Sequence, residues 1–371
     1  MTSSSAPAAF DFSAMDAAYR PPNYLRAPFR EYLYSFDKGV YWLRTPAATG
    51  KTMFVRGLNA KRLGKDQKTT EGIDSNIATG MRAVAVHLRS GVCATPRQFV
   101  EALNAAFDAE FNLDEAERPK TAASIRYGDL TEARADLLAW LQRLRDVAAE
   151  KGATRLLLAI DGLEQIPAGS AAEEGYTIID LLPGVSEIPA NFILLLTSRP
   201  ADAWVPELFE QAALKFGGGH GFMVRDITLN DDTYEKMLRL YFWDTVRPMF
   251  RSRALAHLEQ LLENKARLAT DKDARMANDV TFRDTLKSDW KKLTNKHPRY
   301  SMNQLPVGDL KQTLDEIDKL WADTMDRADR RFAYVSLILT NVAGGSLALD
   351  SVSALPKGEA MLASFEAPPA Q

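Results

Sequence analysis

Short, almost wholly apolar segments recur along the first half of the chain, with longer amphipathic stretches between them. Apolar runs of this length are typical of strands that are covered on both faces of a sheet. Strands are predicted at residues 39–43, 83–88, 155–160 and 192–196, with a fifth at 222–229. Helices are predicted at residues 29–36, 50–60, 96–111 and 130–150. This alternation predicts a parallel five-stranded sheet with helices on both faces, an α/β fold.

The pattern changes after residue 229. Asn230, Asp231 and Asp232 supply side chains that can cap a helix. Helical periodicity then returns at residues 234–243, 254–268 and 310–340, the last in more than one piece, and little strand pattern remains. We therefore predict an α/β core over residues 21–229 and a mainly helical subdomain over 230–358. Residues 1–20 are predicted to be a disordered tail, and 359–371 a Pro/Ala-rich tail, natural or artificial.

Composition and charge narrow the class of protein. The 371 residues are 46% hydrophobic and 26% charged, as in an ordinary globular protein. A net charge of −3 gives no electrostatic argument for a nucleic-acid partner. The single cysteine, Cys93, fits a reducing cytoplasm and is predicted to be a small buried hydrophobe. Apolar runs all fall short of the ~20 residues that span a bilayer, so we predict a cytoplasmic chain without membrane contact.

One loop carries a phosphate-binding pattern between the first predicted strand and the following helix. It reads Thr45-Pro46-Ala47-Ala48-Thr49-Gly50-Lys51-Thr52. A strand, a tight loop and a helix form the context in which such a loop binds phosphates. Gly50 lets the backbone approach the phosphates, Lys51 can reach the β- and γ-phosphates, and the Thr52 hydroxyl can bind Mg²⁺. These residues are predicted to bind ATP or ADP with Mg²⁺, although Thr45 replaces the usual first glycine and narrows the options of the turn.

Polar residues end two other predicted strands. Ligands of parallel sheets bind beyond the carboxyl ends of the strands, so these residues are expected to lie near the loop. Asp161 is predicted to hold Mg²⁺ together with Thr52, usually through a water. Glu164 is the candidate to orient or deprotonate the attacking water, and Arg199 to sense the γ-phosphate. His87 lies on an apolar strand and is predicted to be a packed core histidine.

Three motifs in this order resemble the STAND class of signal-transducing NTPases, and within it the NACHT group. They are Gly50-Lys51-Thr52, Ile160-Asp161-Gly162-Leu163-Glu164 and Leu196-Thr197-Ser198-Arg199-Pro200. Two further segments resemble a helix that often follows the nucleotide core and a Leu-Pro-x-Gly element after it: Arg331-Phe332-Ala333-Tyr334-Val335 and Leu355-Pro356-Lys357-Gly358. The resemblance covers about residues 24–365 and is strong at the three motifs.

The resemblance implies an ATP-dependent switch. Such proteins are held inactive, often with ADP, until a trigger opens them, ATP replaces ADP and the chains self-oligomerise. Bacterial relatives often serve in antiviral defence or signalling. The helical region after Leu229 would be the lid, and Tyr24 and Leu25 would contact the adenine as related segments do.

Two departures keep other functions open. The family often has two acidic residues after Asp-Gly-x, whereas Glu164 is followed here by Gln165, so hydrolysis is expected to be slow. Together with Thr45, this leaves a non-hydrolysing scaffold of the same fold as an alternative. A third possibility is an AAA+-like motor, which the Thr-Ser-Arg-Pro element and the lack of an obvious arginine finger disfavour.

Overall fold

The structure, a computed structural model, describes residues 23–58, 80–88, 93, 95–112, 129–169, 175–239, 241–242, 245–246 and 308–361. The chain divides into two compact units, Met1–Tyr234 and Glu235–Gln371. The boundary predicted from the sequence lies at 229/230. The predicted tail over residues 1–20 and the predicted helix over 254–268 lie outside the described residues.

Helices and strands alternate in the first unit. Its helices are α1 (Asn23–Ser35), α2 (Lys51–Gly57), α3 (Pro96–Phe111), α4 (Leu130–Glu150), α5 (Ile178–Leu181) and α6 (Pro206–Phe216). Its strands are β1 (Gly39–Arg44), β2 (Met81–His87), β3 (Arg155–Asp161), β4 (Phe192–Ser198) and β5 (Phe222–Asp226). Short 3₁₀ helices are formed by Leu163–Gln165, Val185–Glu187 and Ala201–Ala203.

The five strands form one sheet in the order β2-β3-β4-β1-β5, and every neighbouring pair is parallel. The predicted five-stranded parallel sheet is therefore confirmed. The strand before the loop, β1, does not border β3, because β4 lies between them. The register places Thr197 of β4 opposite Leu43 on one side and opposite Asp161 on the other. The polar ends of three strands therefore lie side by side at one edge of the sheet.

Strand β1 shows why these segments read as continuous apolar runs. Alternate residues of a strand point to opposite faces, and here both faces are covered. On one face, Trp42 packs against Phe209 and Phe216 of α6, with ring centroids 5.7 and 6.3 Å apart. On the other face, Tyr41 packs against Phe29 and Tyr32 of α1, at 5.2 and 5.1 Å.

Local capping explains why the bounds predicted for α3 and α4 agree with the structure. Thr95 and Gln98 form a capping box at the start of α3, with Pro96 in the first turn. The Asp129 side chain accepts a hydrogen bond from Glu132 N at the start of α4. Each signal lies within four residues of sequence, so a local pattern suffices to place the helix start.

Helix α1 begins earlier than predicted. It starts at Asn23 rather than Phe29 and contains Pro28, which lacks the N–H that an interior helical residue donates. Tyr24 and Leu25, upstream of the proline, are 2% and 0% exposed. Burial of these two side chains stabilises a first turn that local propensity disfavours.

Every secondary-structure element that the structure describes in the second unit is helical. It contains α7 (Gly308–Arg327), α8 (Phe332–Ala343) and 3₁₀ helices at Leu349–Ala354 and Gly358–Met361. The helical stretch predicted at 310–340 breaks between α7 and α8, where Asp329 and Arg330 adopt positive φ of 49° and 54°. The tail predicted at 359–371 begins inside the last 3₁₀ helix, Gly358–Met361, in which Met361 is fully buried.

Candidate functional site

The loop between β1 and α2 is tied to its surroundings at both ends. Thr45 N donates to the carbonyl of Ser198 at 3.0 Å, which fixes the start of the loop against β4. The Tyr24 hydroxyl donates to the carbonyl of Thr49, which ties α1 to the end of the loop. Thr45 and Thr49 are 0% and 1% exposed, and their hydroxyls hydrogen-bond to each other. The loop is therefore held by the backbone of β4, by a side chain of α1 and by its own threonine hydroxyls.

Backbone geometry explains how Thr45 can stand where a glycine is usual. Positive φ occurs at Ala48 (60°) and Gly50 (99°) but not at Thr45, so the β-branched side chain is not strained there. The N–H groups of Ala48 and Gly50 have no hydrogen-bond partner among the residues that the structure describes. Backbone N–H groups in a turn with left-handed residues form concavities that bind anions.

Lys51 is the first residue of α2, and it is only 8% exposed. Its ammonium donates to the carbonyl oxygens of Thr45 and Pro46, at 2.7 and 2.8 Å. The Thr45 hydroxyl lies 3.4 Å away. Thr45 thus contributes two oxygens to the lysine, so the position that departs from the usual pattern is part of the lysine's surroundings.

Asp161 ends β3 and is 5% exposed. His87 Nδ1 lies 3.0 Å from its Oδ2, and the Thr197 hydroxyl donates to its Oδ1. Burial raises the pKa of Asp161, but the bond and charge of His87 and the hydroxyls of Thr197 and Thr52 outweigh it and hold that pKa below its ordinary value. Thr52 and Asp161, chosen from separate sequence motifs, therefore lie near enough for one to affect the pKa of the other.

The surroundings of His87 differ from those predicted. It was predicted to be a packed core histidine, but its side chain is 23% exposed and bonds to Asp161. The two residues occupy partner positions at the ends of neighbouring strands β2 and β3. A histidine on an apolar strand carries no local signal of this kind. The strand order would have revealed it, since it brings the two strand ends together.

Glu164 and Arg199 form a second pair at the same edge. The left-handed Gly162, with φ of 89°, turns the chain into the short 3₁₀ helix that carries Glu164. Arg199 N donates to Glu164 Oε2 at 3.1 Å, and Arg199 Nε lies 3.3 Å from Oε1. The Glu164 side chain is 6% exposed and that of Arg199 is 42% exposed. The two predicted catalytic residues therefore bind each other.

Tyr24 and Leu25, the predicted adenine contacts, lie in different surroundings. Leu25 is wholly buried in the core, whereas Tyr24 touches the loop through its hydroxyl. Burial raises the pKa of Tyr24, so its hydroxyl stays protonated and can donate. The ring of Tyr24 packs edge-on against Tyr234, with centroids 5.0 Å apart.

The donor set restricts which metal ion could be held here. Within the described ranges, no group of three or more His, Cys, Asp or Glu side chains could hold a metal. The Thr52 hydroxyl and the Asp161 carboxylate are hard oxygen groups. Mg²⁺ commonly takes one or two protein oxygens and completes its shell with water and phosphate. The residues present therefore fit Mg²⁺ in a phosphate complex better than a protein-enclosed metal.

Comparison with known proteins identifies no family. No protein-family model matches the chain, and no curated protein matches it significantly. Among the described helices, none has the length and apolarity to cross a membrane.

We predict that Asp161→Asn changes how stability depends on pH. Because the pKa of Asp161 is lower in the folded chain, its carboxylate stabilises the fold above about pH 4, the pKa of an unfolded aspartate. This contribution disappears as the pH falls towards the lower, folded pKa. Urea unfolding from pH 7 to pH 3 should show a smaller loss of stability in Asp161→Asn than in the wild type.

The exposed Asp202 provides the control, because Asp202→Asn should follow the wild type throughout. If stability fell equally with decreasing pH in Asp161→Asn and in the wild type, the lowered pKa of Asp161 in the folded chain would be contradicted.

Proposed function

We propose that the first unit binds ATP with Mg²⁺ at residues 45–52 and serves as a slowly hydrolysing, nucleotide-dependent switch of the STAND and NACHT kind. The observation that carries the proposal is the pair of contacts made by neighbouring residues of β4: the Ser198 carbonyl accepts a hydrogen bond from Thr45 N at the start of the loop, and the Thr197 hydroxyl donates one to Asp161. These contacts place the loop with its buried Lys51 beside the carboxylate end of β3. A surface turn with a chance Gly-Lys-Thr sequence has no reason to lie beside a buried carboxylate.

The loop offers the groups that bind phosphates. The N–H groups of Ala48 and Gly50 and the N-terminal end of α2 attract negative charge. Lys51 now donates to neutral carbonyl oxygens of Thr45 and Pro46. Exchanging these for phosphate oxygens would give it shorter and stronger charge-assisted bonds. Binding would therefore require a rearrangement of one side chain within a loop that is already shaped.

Thr52 and Asp161 would hold Mg²⁺, the hydroxyl directly and the carboxylate through a water. The ion would supply positive charge that offsets the β- and γ-phosphates. Asp161 is suited to this role because its hydrogen bonds keep it ionised despite burial. Glu164, one short turn further along, would accept a proton from the attacking water.

The pair of Glu164 and Arg199 supports slow turnover. Glu164 accepts a hydrogen bond from Arg199 N and forms an ion pair with the Arg199 guanidinium, so an attacking water would have to compete with these contacts. To release Glu164, Arg199 would have to turn towards the γ-phosphate. The same pair would also suit a non-hydrolysing scaffold, in which Glu164 stays bound to Arg199. Measuring turnover separates these two functions.

The switch also includes self-association. By resemblance to its class, the chain would oligomerise after an unidentified protein trigger has opened it and ATP has replaced ADP. The helical second unit would serve as the lid. A net charge of −3 gives no support for a nucleic-acid partner.

Lys51→Ala should weaken ATP binding by roughly 10- to 100-fold, because a charge-assisted hydrogen bond is worth about 1.5–3 kcal/mol. Titration with a fluorescent ATP analogue measures the change. The exposed Lys357 of the second unit gives the matched control, since Lys357→Ala should bind as the wild type does. Equal, negligible binding by the wild type and Lys51→Ala would refute nucleotide binding at this loop.

Glu164→Gln should lower phosphate release by about 100-fold or more, the usual contribution of a general base, while ATP binding stays unchanged. Steady-state release of phosphate measures turnover, and the exposed Glu207→Gln serves as control. If Glu164→Gln and the wild type release phosphate equally slowly, the scaffold is the better description of the chain.

Nucleotide should also change the mass of the protein in solution. We expect light scattering to give a higher mass with a non-hydrolysable ATP analogue and Mg²⁺ than with ADP. Lys51→Ala should remain at the lower mass in both. The same mass for the wild type in both nucleotides would contradict nucleotide-dependent self-association.

A further inference from the structure

His87 lies at the candidate site, yet the proposed function gives it no task. It is the last residue of β2, and its partner position on β3 is Asp161. Parallel neighbouring strands keep these two residues level, so the contact follows from the sheet itself. The imidazole Nδ1 lies 3.0 Å from Asp161 Oδ2.

The two oxygens of Asp161 have different partners. Oδ2 meets the His87 ring, and Oδ1 accepts a hydrogen bond from Thr197 of β4. A carboxylate turns freely about its bond to Cβ unless both oxygens are engaged. Contacts from the strands on either side of β3 therefore fix the plane of this carboxylate.

We propose that His87 is a positioning residue for Mg²⁺: by donating its Nδ1–H to Asp161, it holds the carboxylate in the orientation that serves an ion beside Thr52. The inference rests on the proposed function and concerns how the Mg²⁺-binding carboxylate of that site is oriented. Nδ1–H is a donor both in one tautomer of the neutral ring and in the charged ring, so His87 can make this contact in either form. Residues that orient ligand groups in this way commonly change metal affinity by 10- to 100-fold when they are replaced.

A purely structural role makes a different prediction. Asp161 is 5% exposed, and any buried carboxylate needs donors. If His87 only compensates for burial, its loss should lower stability and weaken nucleotide binding equally with and without Mg²⁺. If it positions the metal ligand, its loss should affect the Mg²⁺-dependent part of binding alone.

Three variants of the full chain test this, at one fixed pH: His87→Ala, His87→Asn and His87→Gln. The Asn side-chain amide can place its N–H near the position of Nδ1, whereas the longer Gln places it further out. Binding of a fluorescent ATP analogue is measured in EDTA and across a titration of Mg²⁺. Thermal unfolding of each variant checks the fold.

We expect His87→Ala to raise the Mg²⁺ concentration for half-maximal enhancement of binding by about 10- to 100-fold, with unchanged binding in EDTA. His87→Asn should return it to within a few fold of the wild type, and His87→Gln should resemble His87→Ala. If His87→Ala does not fold, the comparison of Asn with Gln carries the test.

Two results would overturn the inference while leaving the proposed function intact. One is an unchanged Mg²⁺ requirement in His87→Ala, with intact nucleotide binding. The other is equal behaviour of the Asn and Gln variants. Failure of the proposed function has a separate signature, because the wild type itself would then bind no ATP analogue at any Mg²⁺ concentration.

Discussion

The candidate site depends on one constraint, the position of β4 between β1 and β3 in a parallel sheet. Because parallel strands end at the same edge, three consecutive residues after Leu196 can each bond to a different neighbour. Thr197 donates to Asp161 of β3. The Ser198 carbonyl accepts from Thr45 at the start of the loop. Arg199 holds Glu164. Strand β4 and the residue after it thereby connect the loop with both carboxylates.

Two ionisable side chains, Lys51 and Asp161, are buried at this edge, and burial of charge is costly unless polar groups compensate for it. Loop carbonyl oxygens accept hydrogen bonds from the lysine, and His87 and the Thr197 hydroxyl contact the two oxygens of the aspartate. Such an arrangement lowers the cost of holding both charges in place before a ligand arrives. Buried ionisable groups with a perturbed pKa, such as Asp161, are commoner at functional sites than in ordinary cores.

The pairing of Glu164 with Arg199 sets the proposed balance between binding and turnover. A guanidinium can serve either a carboxylate or a phosphate with the same planar set of donors. The Glu164 side chain is buried and its partner is partly exposed, so the arginine is the member that can turn towards an arriving anion. In the proposed switch, the γ-phosphate would compete with Glu164 for Arg199. The arrival of the γ-phosphate would thereby release Glu164, the proposed general base.

The sequence alone determined the elements and the chemistry at their ends. Apolar runs predicted five strands, helical patterns predicted α3 and α4, and motif positions selected Lys51, Asp161 and Arg199, because these signals are local. Tertiary structure decided the rest. The contact of His87 with Asp161, the start of α1 before Pro28 and the partnership of Glu164 with Arg199 all depend on pairing between segments distant in sequence. Strand order arises from long-range hydrogen bonding and burial, which no short pattern of residues encodes.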